Sequence, residues 1–433
     1  MQYYSLNDHS RKVSFADAVV QGLAPDRGLY FPASLPTPGK EFMENLGQYS
    51  DHEIAYRIIA PFVGDEIPEN VLRKIVADTL SFPFPVHAVE KNVYALELFH
   101  GPTLAFKDVG ARFMAGCLGY VLRNDKRPVT VLVATSGDTG GAVAAGFYNV
   151  PGINVVILYP SGKVSTLQEK QLTTLGGNIR ALEVQGTFDD CQRMVKSAFL
   201  DTELQQHVLL TSANSINVAR WLPQMFYYFL AVKQLKAQGK EKLAFSVPSG
   251  NFGNICAGIL ASVLGLPIDH FIASTNVNDT VPRYLHSGEY KPAAAIATLS
   301  NAMDVAAPSN FVRVLELFQQ SFPALTSKLT GYSFDDAATV AAMEAVYKAD
   351  GYMMDPHGAV GYLGLKKYLA DHADFTGVFL ETAHPVKFAD TAPPSLQPCI
   401  VTPERVRELF SKAKQSTLLP ADDAALKSWL LAQ

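Results

Sequence analysis

Residues 100–110 read HGPTLAFKDVG, and the reading of Lys107 within them decides how the rest of the chain is understood. After the lysine, Val109, Phe113, Cys117, Tyr120 and Val121 recur at helical spacing, the apolar stripe of an amphipathic helix. Gly101-Pro102 punctuates the entry, and Thr103 is in place to cap the helix. The spacing therefore puts Lys107 in or just ahead of the first helical turn, near the positive end of the helix dipole. That field and partial burial disfavour the ammonium form and supply free amine. Schiff-base chemistry on a carbonyl requires such an amine. The competing reading is a surface lysine beside Asp108, and the surrounding sequence has to choose.

Upstream, VYALELF (93–99) is a short apolar strand that delivers the chain to the lysine. Downstream lies a βαβ unit. VTVLVA (129–134) and INVVILY (153–159) are continuous β-branched runs, as expected of parallel strands buried on both faces. Between them, TSGDTGG (135–141) is a glycine-rich turn that opens a small-residue helix over 142–147. The same grammar returns at LAFSV (243–247), followed by PSGNFGN (248–254) and a helix over 255–264. Helices are predicted over 167–175, 189–200, 218–237, 311–318 and 333–349, and strands over 269–273 and 376–381. The alternation predicts an α/β protein with parallel sheets. Residues 287–310 read as a long loop of the kind that surrounds active sites. Before the first sheet, helices over 15–21, 54–61 and 67–80 form an N-terminal helical cap, and Asp26–Leu29 reads as a turn. The expected domains are the cap (1–92), a smaller α/β domain (93–225), a larger one (226–395) and a C-terminal helical tail (396–433).

Length and composition limit the function. A chain of 433 residues with 48% hydrophobic and 18% charged residues is an ordinary globular protein of two or three domains. The net charge of −5 comes with no basic block, which argues against nucleic acid or a membrane surface as partner. No apolar run is long enough to span a bilayer, and MQYYSLNDHSRKV has no signal-peptide core. Cys117, Cys191, Cys256 and Cys399 are scattered without zinc or redox spacing, so a cytoplasmic, metal-independent protein is expected.

The two glycine turns follow parallel strands and open helices, where α/β proteins bind ligands. In PSGNFGN, Gly250 and Gly253 let backbone N–H groups converge at a helix start, the geometry of a phosphate cup, and Ser249, Asn251 and Asn254 add uncharged donors. A tight strand-to-helix turn would use the same residues. The TSGDTG turn lacks Gly-x-Gly-x-x-Gly spacing, no acidic residue ends the next strand, and neither turn has Gly-Lys-Ser/Thr. A nicotinamide or ATP site is therefore disfavoured, and a small ligand with carboxylate and phosphate groups fits better.

HGPTLAFKD, ATSGDTG, PSGNFGN and ETAHPVKF, together with FADAVVQGLAPDRGLYFP and NSINVAR, resemble the threonine synthase family, in the family's order, over about residues 5–390. These are pyridoxal-phosphate enzymes of the tryptophan synthase β-like fold (fold type II). Two departures stand out. Arg27 occupies a position where the family often has glycine, and Asp138 one where the wider fold often has asparagine beside the cofactor's phenolic oxygen. The resemblance implies that Lys107 holds pyridoxal 5'-phosphate as a Schiff base and then carries protons. It implies that Gly250, Asn251, Phe252, Gly253 and Asn254 bind the cofactor phosphate and that Thr382 faces the pyridine nitrogen. Ser136, Gly137, Asp138 and Thr139 would receive the substrate carboxylate, largely through backbone N–H groups. The implied reaction turns O-phospho-L-homoserine and water into L-threonine and phosphate by β,γ-elimination and replacement.

The dianionic γ-phosphate needs a cation of its own. Arg220, after Asn217 in NSINVAR, is the first candidate and Lys163 in PSGK the second, with Asn217 beside them. His357 and His384 are either acid–base groups or structural histidines, and Asn276, Asn278, Asp279 and Thr280 line the site or make turns. Rival readings are a serine or threonine dehydratase, a cysteate synthase, or a non-catalytic ligand-binding protein. The expected state is a monomer, with a dimer left open.

Overall fold

The computed structural model describes residues 1–125 and 129–433. Two parallel sheets organise it. The larger has six strands in the order Leu329–Ser333, His270–Thr275, Leu243–Pro248, Thr376–Glu381, Val93–Glu97, Val86–Glu90, parallel except for the last pair. The smaller has five parallel strands in the order Thr417–Pro420, Ile179–Gln185, Ile153–Pro160, Val129–Ala134, Leu209–Ser212. The apolar runs at 129–134, 153–160 and 243–248 are interior strands, almost wholly buried, as continuous apolar runs should be.

Strand pairing departs from the expected domain layout. Val93–Glu97 was expected to open the smaller domain, but it pairs with Thr376–Glu381 in the larger sheet, Gly377 opposite Val93. The tail after residue 396 is not only helical: Thr417–Pro420 adds a fifth strand beside Ile179–Gln185. The N-terminal cap likewise contains an antiparallel sheet of Gln2–Ser5, Lys12–Ser14 and Tyr30–Pro32 besides its helices. The pairings of 93–97 with 376–381 and of 417–420 with 182–185 join short strands to partners remote in sequence, which local periodicity does not reveal.

The predicted helix over 218–237 is three pieces, Val218–Trp221, a 3-10 turn Leu222–Gln224 and Met225–Ala237. Pro223 lacks the amide that would continue the α-helical ladder. The last piece carries Phe226, Tyr227, Tyr228 and Phe229, all fully buried between the sheets and the cap, so the aromatic run is core. The Asp26–Leu29 turn closes on Asp26, whose carboxylate accepts the Gly28 N–H at 2.8 Å. Arg27 there has φ +67°, a conformation glycine adopts without strain.

Candidate active site

The helix Lys107–Val121 begins at the lysine itself, with Phe106 as its N-cap. Thr103 does not cap it. Its N–H and hydroxyl both donate to the buried Asp108 carboxylate, at 2.9 and 2.7 Å, and shape the loop that precedes the helix. That loop is pinned to the end of strand Thr376–Glu381. The Phe106 N–H donates to the Thr382 carbonyl at 2.8 Å, the His384 N–H to the Leu104 carbonyl at 3.0 Å, and Ala105 bridges Ala383. The strand pairing of 93–97 with 376–381 thus carries Lys107 and Thr382 to the same place.

Both line one cavity, with Ser136, Thr139, Arg220, residues 250–254 and His357. Lys107 is half-buried. Burial pushes its amine down to about 8, the Arg220 and Lys387 charges act in the same direction, and Asp138 opposes them. The free amine that carbonyl chemistry needs is thereby more accessible than in an ordinary lysine, and it becomes the major form above about pH 8.

The PSGNFGN turn opens the helix Gly253–Val263 onto this cavity, with Phe252 as N-cap in the left-handed region at φ +61°. Gly250 is there for close approach, since a Cβ would stand 2.5 Å from the Ala302 carbonyl oxygen. The expected side-chain donors are largely committed elsewhere. Asn254 Nδ2 donates to the Pro248 carbonyl at 2.9 Å, and Ser249 donates to that of Val247 at 2.8 Å. The Asn251 side-chain oxygen accepts the Ser309 N–H at 3.3 Å. An anion here therefore meets the backbone N–H groups and dipole of the helix start.

In the TSGDTG turn the hydroxyl of Thr135 accepts the N–H groups of Gly137 and Gly140, each at 2.9 Å. Ser136 and Thr139 line the cavity, but Gly137 and Asp138 are not among the lining residues. Gly137 packs against Gln168, where a Cβ would lie 2.4 Å from its side chain. Asp138 turns into a buried cluster, accepting from Gln168 Nε2 at 2.9 Å and pairing with Lys387 Nζ at 2.9 Å. Burial alone would raise its pKa, but the Lys387 and Lys107 ammonium groups hold the carboxylate well below its usual range. Lys387 and Gln168 had no role in the sequence reading. Lys387 stood inside the quoted ETAHPVKF, but nothing local marks a lysine whose counterion lies on another domain.

The three residues considered for the second anion separate clearly. Arg220 is 4% exposed and lines the cavity, and its guanidinium donates to the Ala213 carbonyl. Its Nε has no partner, and no carboxylate among the described residues is ion-paired with it. Burial pushes its pKa down to about 10. Asn217 does not reach the cavity. It caps the helix Val218–Trp221 by accepting the Ala219 N–H at 3.0 Å, and it donates to the carbonyls of Val19 and Ser212 at 2.8 and 3.2 Å. Lys163 is exposed in the turn after strand Ile153–Pro160 and is not among the lining residues. Asn217→Ala should lower stability by about 1–3 kcal/mol, from the lost cap and two buried carbonyls left unpaired. Thermal unfolding would register this, while the KM for substrate stays near that of the parent protein.

His357 is buried at the cavity wall. Its Nδ1 is 2.6 Å from the Asp355 carboxylate and its Nε2 accepts the Ala302 N–H at 3.2 Å, so it holds the neighbouring loop in place. His384 lies off the cavity and caps the turn after it, its Nδ1 accepting the Val386 N–H at 3.1 Å, and burial pushes its pKa down to about 4. Asn276 and Asn278 knot the loop 296–304, Asn276 Nδ2 donating to Asp304 at 2.9 Å, and their turn reading is the right one. Among the described residues, no group of three or more His, Cys, Asp or Glu side chains is placed to hold a metal, and no helix is long and apolar enough to cross a membrane.

Comparison with known proteins identifies the family. Residues 78–377 match the family described as "Pyridoxal-phosphate dependent enzyme", 2–80 match "Threonine synthase N terminus" and 358–430 match "Threonine synthase, C-terminal". Threonine synthase of Escherichia coli is 48% identical, over 100% of this chain and 99% of that protein. The crystal structure of threonine synthase from Escherichia coli superposes with a TM-score of 0.92 at 47% identity, covering 100% of both chains. PLP-bound threonine synthase from Brucella melitensis gives a TM-score of 0.92 at 35% identity, over 100% of this chain and 99% of that one. A chain matched from end to end in sequence and in fold, with a lysine, a helix-start anion cup and a strand-end threonine around one cavity, belongs to the threonine synthase family of pyridoxal-phosphate dependent enzymes.

Proposed function

We propose that the chain converts O-phospho-L-homoserine and water to L-threonine and phosphate, the last step of threonine biosynthesis. The observation that carries this reading within the fold is Arg220. A buried guanidinium without a counterion is costly, and it is retained where an anion completes it. A dehydratase acting on serine or threonine has no second phosphate to place there.

The residues present fit pyridoxal phosphate. The cavity joins an amine of lowered pKa, a helix start rich in backbone donors and a neutral hydroxyl at a strand end. Lys107 would carry the cofactor, the start of Gly253–Val263 its phosphate, and Thr382 its ring nitrogen. When bound, the group supplies an electron sink that acidifies the substrate's α-proton. Ser136, Thr139 and the start of Asp138–Phe147 would hold the substrate carboxylate. Lys107 would take the α-proton and return protons as phosphate leaves and water adds. Arg220 would hold the γ-phosphate and stabilise it as it departs. Four unpaired cysteines support a reducing, cytosolic setting for the protein.

Release of inorganic phosphate from O-phospho-L-homoserine, in step with threonine formation, tests the reading. Deamination of serine without phosphate release would overturn it. Thr382→Val should weaken cofactor retention by about 0.5–1.5 kcal/mol, the net contribution of one neutral hydrogen bond. Equilibrium dialysis of the cofactor would measure this, and unchanged retention and rate would remove Thr382 from the site.

A further inference from the structure

Lys387 is 1% exposed, and its ammonium is saturated by three acceptors. They are the Thr103 carbonyl at 2.7 Å, Gln171 Oε1 at 2.8 Å and Asp138 Oδ1 at 2.9 Å. Lys387 follows the strand Thr376–Glu381 of the larger sheet, Thr103 lies in the lysine loop, and Asp138 and Gln171 open and continue helices of the smaller domain. Gln171 closes the ring by donating to the same Thr103 carbonyl at 2.9 Å. One side chain thus ties together the elements that frame Lys107.

The charges facing Lys107 are Asp138, Arg220 and Lys387. Asp108 is turned to Thr103, and the Tyr227 hydroxyl is spent on the Phe106 carbonyl. Asp138 is the only anion of the three. A neutral side chain at 138 would need no counterion, whereas a buried carboxylate must find one. With Lys387 absent, the nearest cation available to it is the Lys107 amine. We infer that Lys387 is a positioning residue: it holds the Asp138 carboxylate in an ion pair behind the TSGDTG turn and so keeps Lys107 from becoming its counterion. The pair at 138 and 387 together does what a neutral residue at 138 would do alone, and it also ties the segment after strand Thr376–Glu381 to the helix Asp138–Phe147.

This inference rests on Lys107 being the reactive amine of the proposed reaction, but its test reads that amine directly. The full chain, freed of cofactor, is acetylated with acetic anhydride over a pH series, and modification at Lys107 is followed by mass spectrometry. In Lys387→Met the Lys107 curve should move up by about one pH unit, with reactivity at neutral pH falling about tenfold. Asp138→Asn should move the curve in the opposite direction, and Asp138→Asn/Lys387→Met should return it toward the parent. A purely structural Lys387 would change stability without these opposed shifts. If Lys387→Met does not fold, the other two variants decide. An unmoved curve in Asp138→Asn, or in a folded Lys387→Met, overturns the inference. Loss of phosphate release with the curves behaving as described would leave it standing while the reaction assignment fell.

Discussion

Lys107→Ala is expected to purify without the visible absorbance of bound cofactor and to form no measurable threonine. Lys107 is the only lysine lining the cavity among the described residues, so no second amine can take over attachment. The same amine is the proton carrier, and loss of a positioned acid–base group alone costs about 10²–10⁴-fold in rate. The lowered pKa adds a pH signature. Only free amine reacts with the cofactor carbonyl, and its fraction grows as pH rises through about 8. Recombination of cofactor-free parent protein with pyridoxal phosphate should therefore accelerate with pH and level off above that value. Normal absorbance and turnover in the alanine variant would remove Lys107 from the centre of the site.

Arg220→Ala should lower kcat/KM for O-phospho-L-homoserine by about 30–1000-fold, corresponding to about 2–4 kcal/mol of transition-state stabilisation. The variant should still bind threonine or serine, which carry no phosphate, with the spectral change of the parent enzyme. Stability gives an independent check. Because Arg220 has no counterion and an unpartnered Nε, its removal relieves a desolvation cost, and the unliganded variant should melt at least as high as the parent. Gly110 leaves the space the guanidinium occupies, a Cβ there standing 3.0 Å from Nε, so alanine at 220 opens a cavity that water can fill. Equal losses for phosphorylated and unphosphorylated ligands would show that Arg220 supports the fold instead. Lys163 would not then inherit the role by position, because it is exposed and off the cavity.

The sequence by itself determined the elements and the chemistry they carry. Continuous apolar runs at 129–134, 153–159 and 243–247 read as buried parallel strands, and the glycine turns after the first and third open helices whose free N–H groups face the cavity. Helical periodicity beginning immediately after Lys107 placed it at a helix start, and the resemblance of the surrounding motifs, not that stretch alone, gave it a role. These signals are local: a dozen residues contain both the pattern and its cause. The tertiary structure decided which neighbours those elements have. The 93–97 strand joined the larger sheet, Thr103 bonded Asp108 instead of capping a helix, and Asn217 became a cap while Arg220, three residues on, turned into the cavity. The Asp138 side chain was drawn into an ion pair with Lys387, which follows the larger sheet's strand Thr376–Glu381. A buried charge goes where its counterion is, and the counterion's place is set by chain folding, not by residues nearby in sequence.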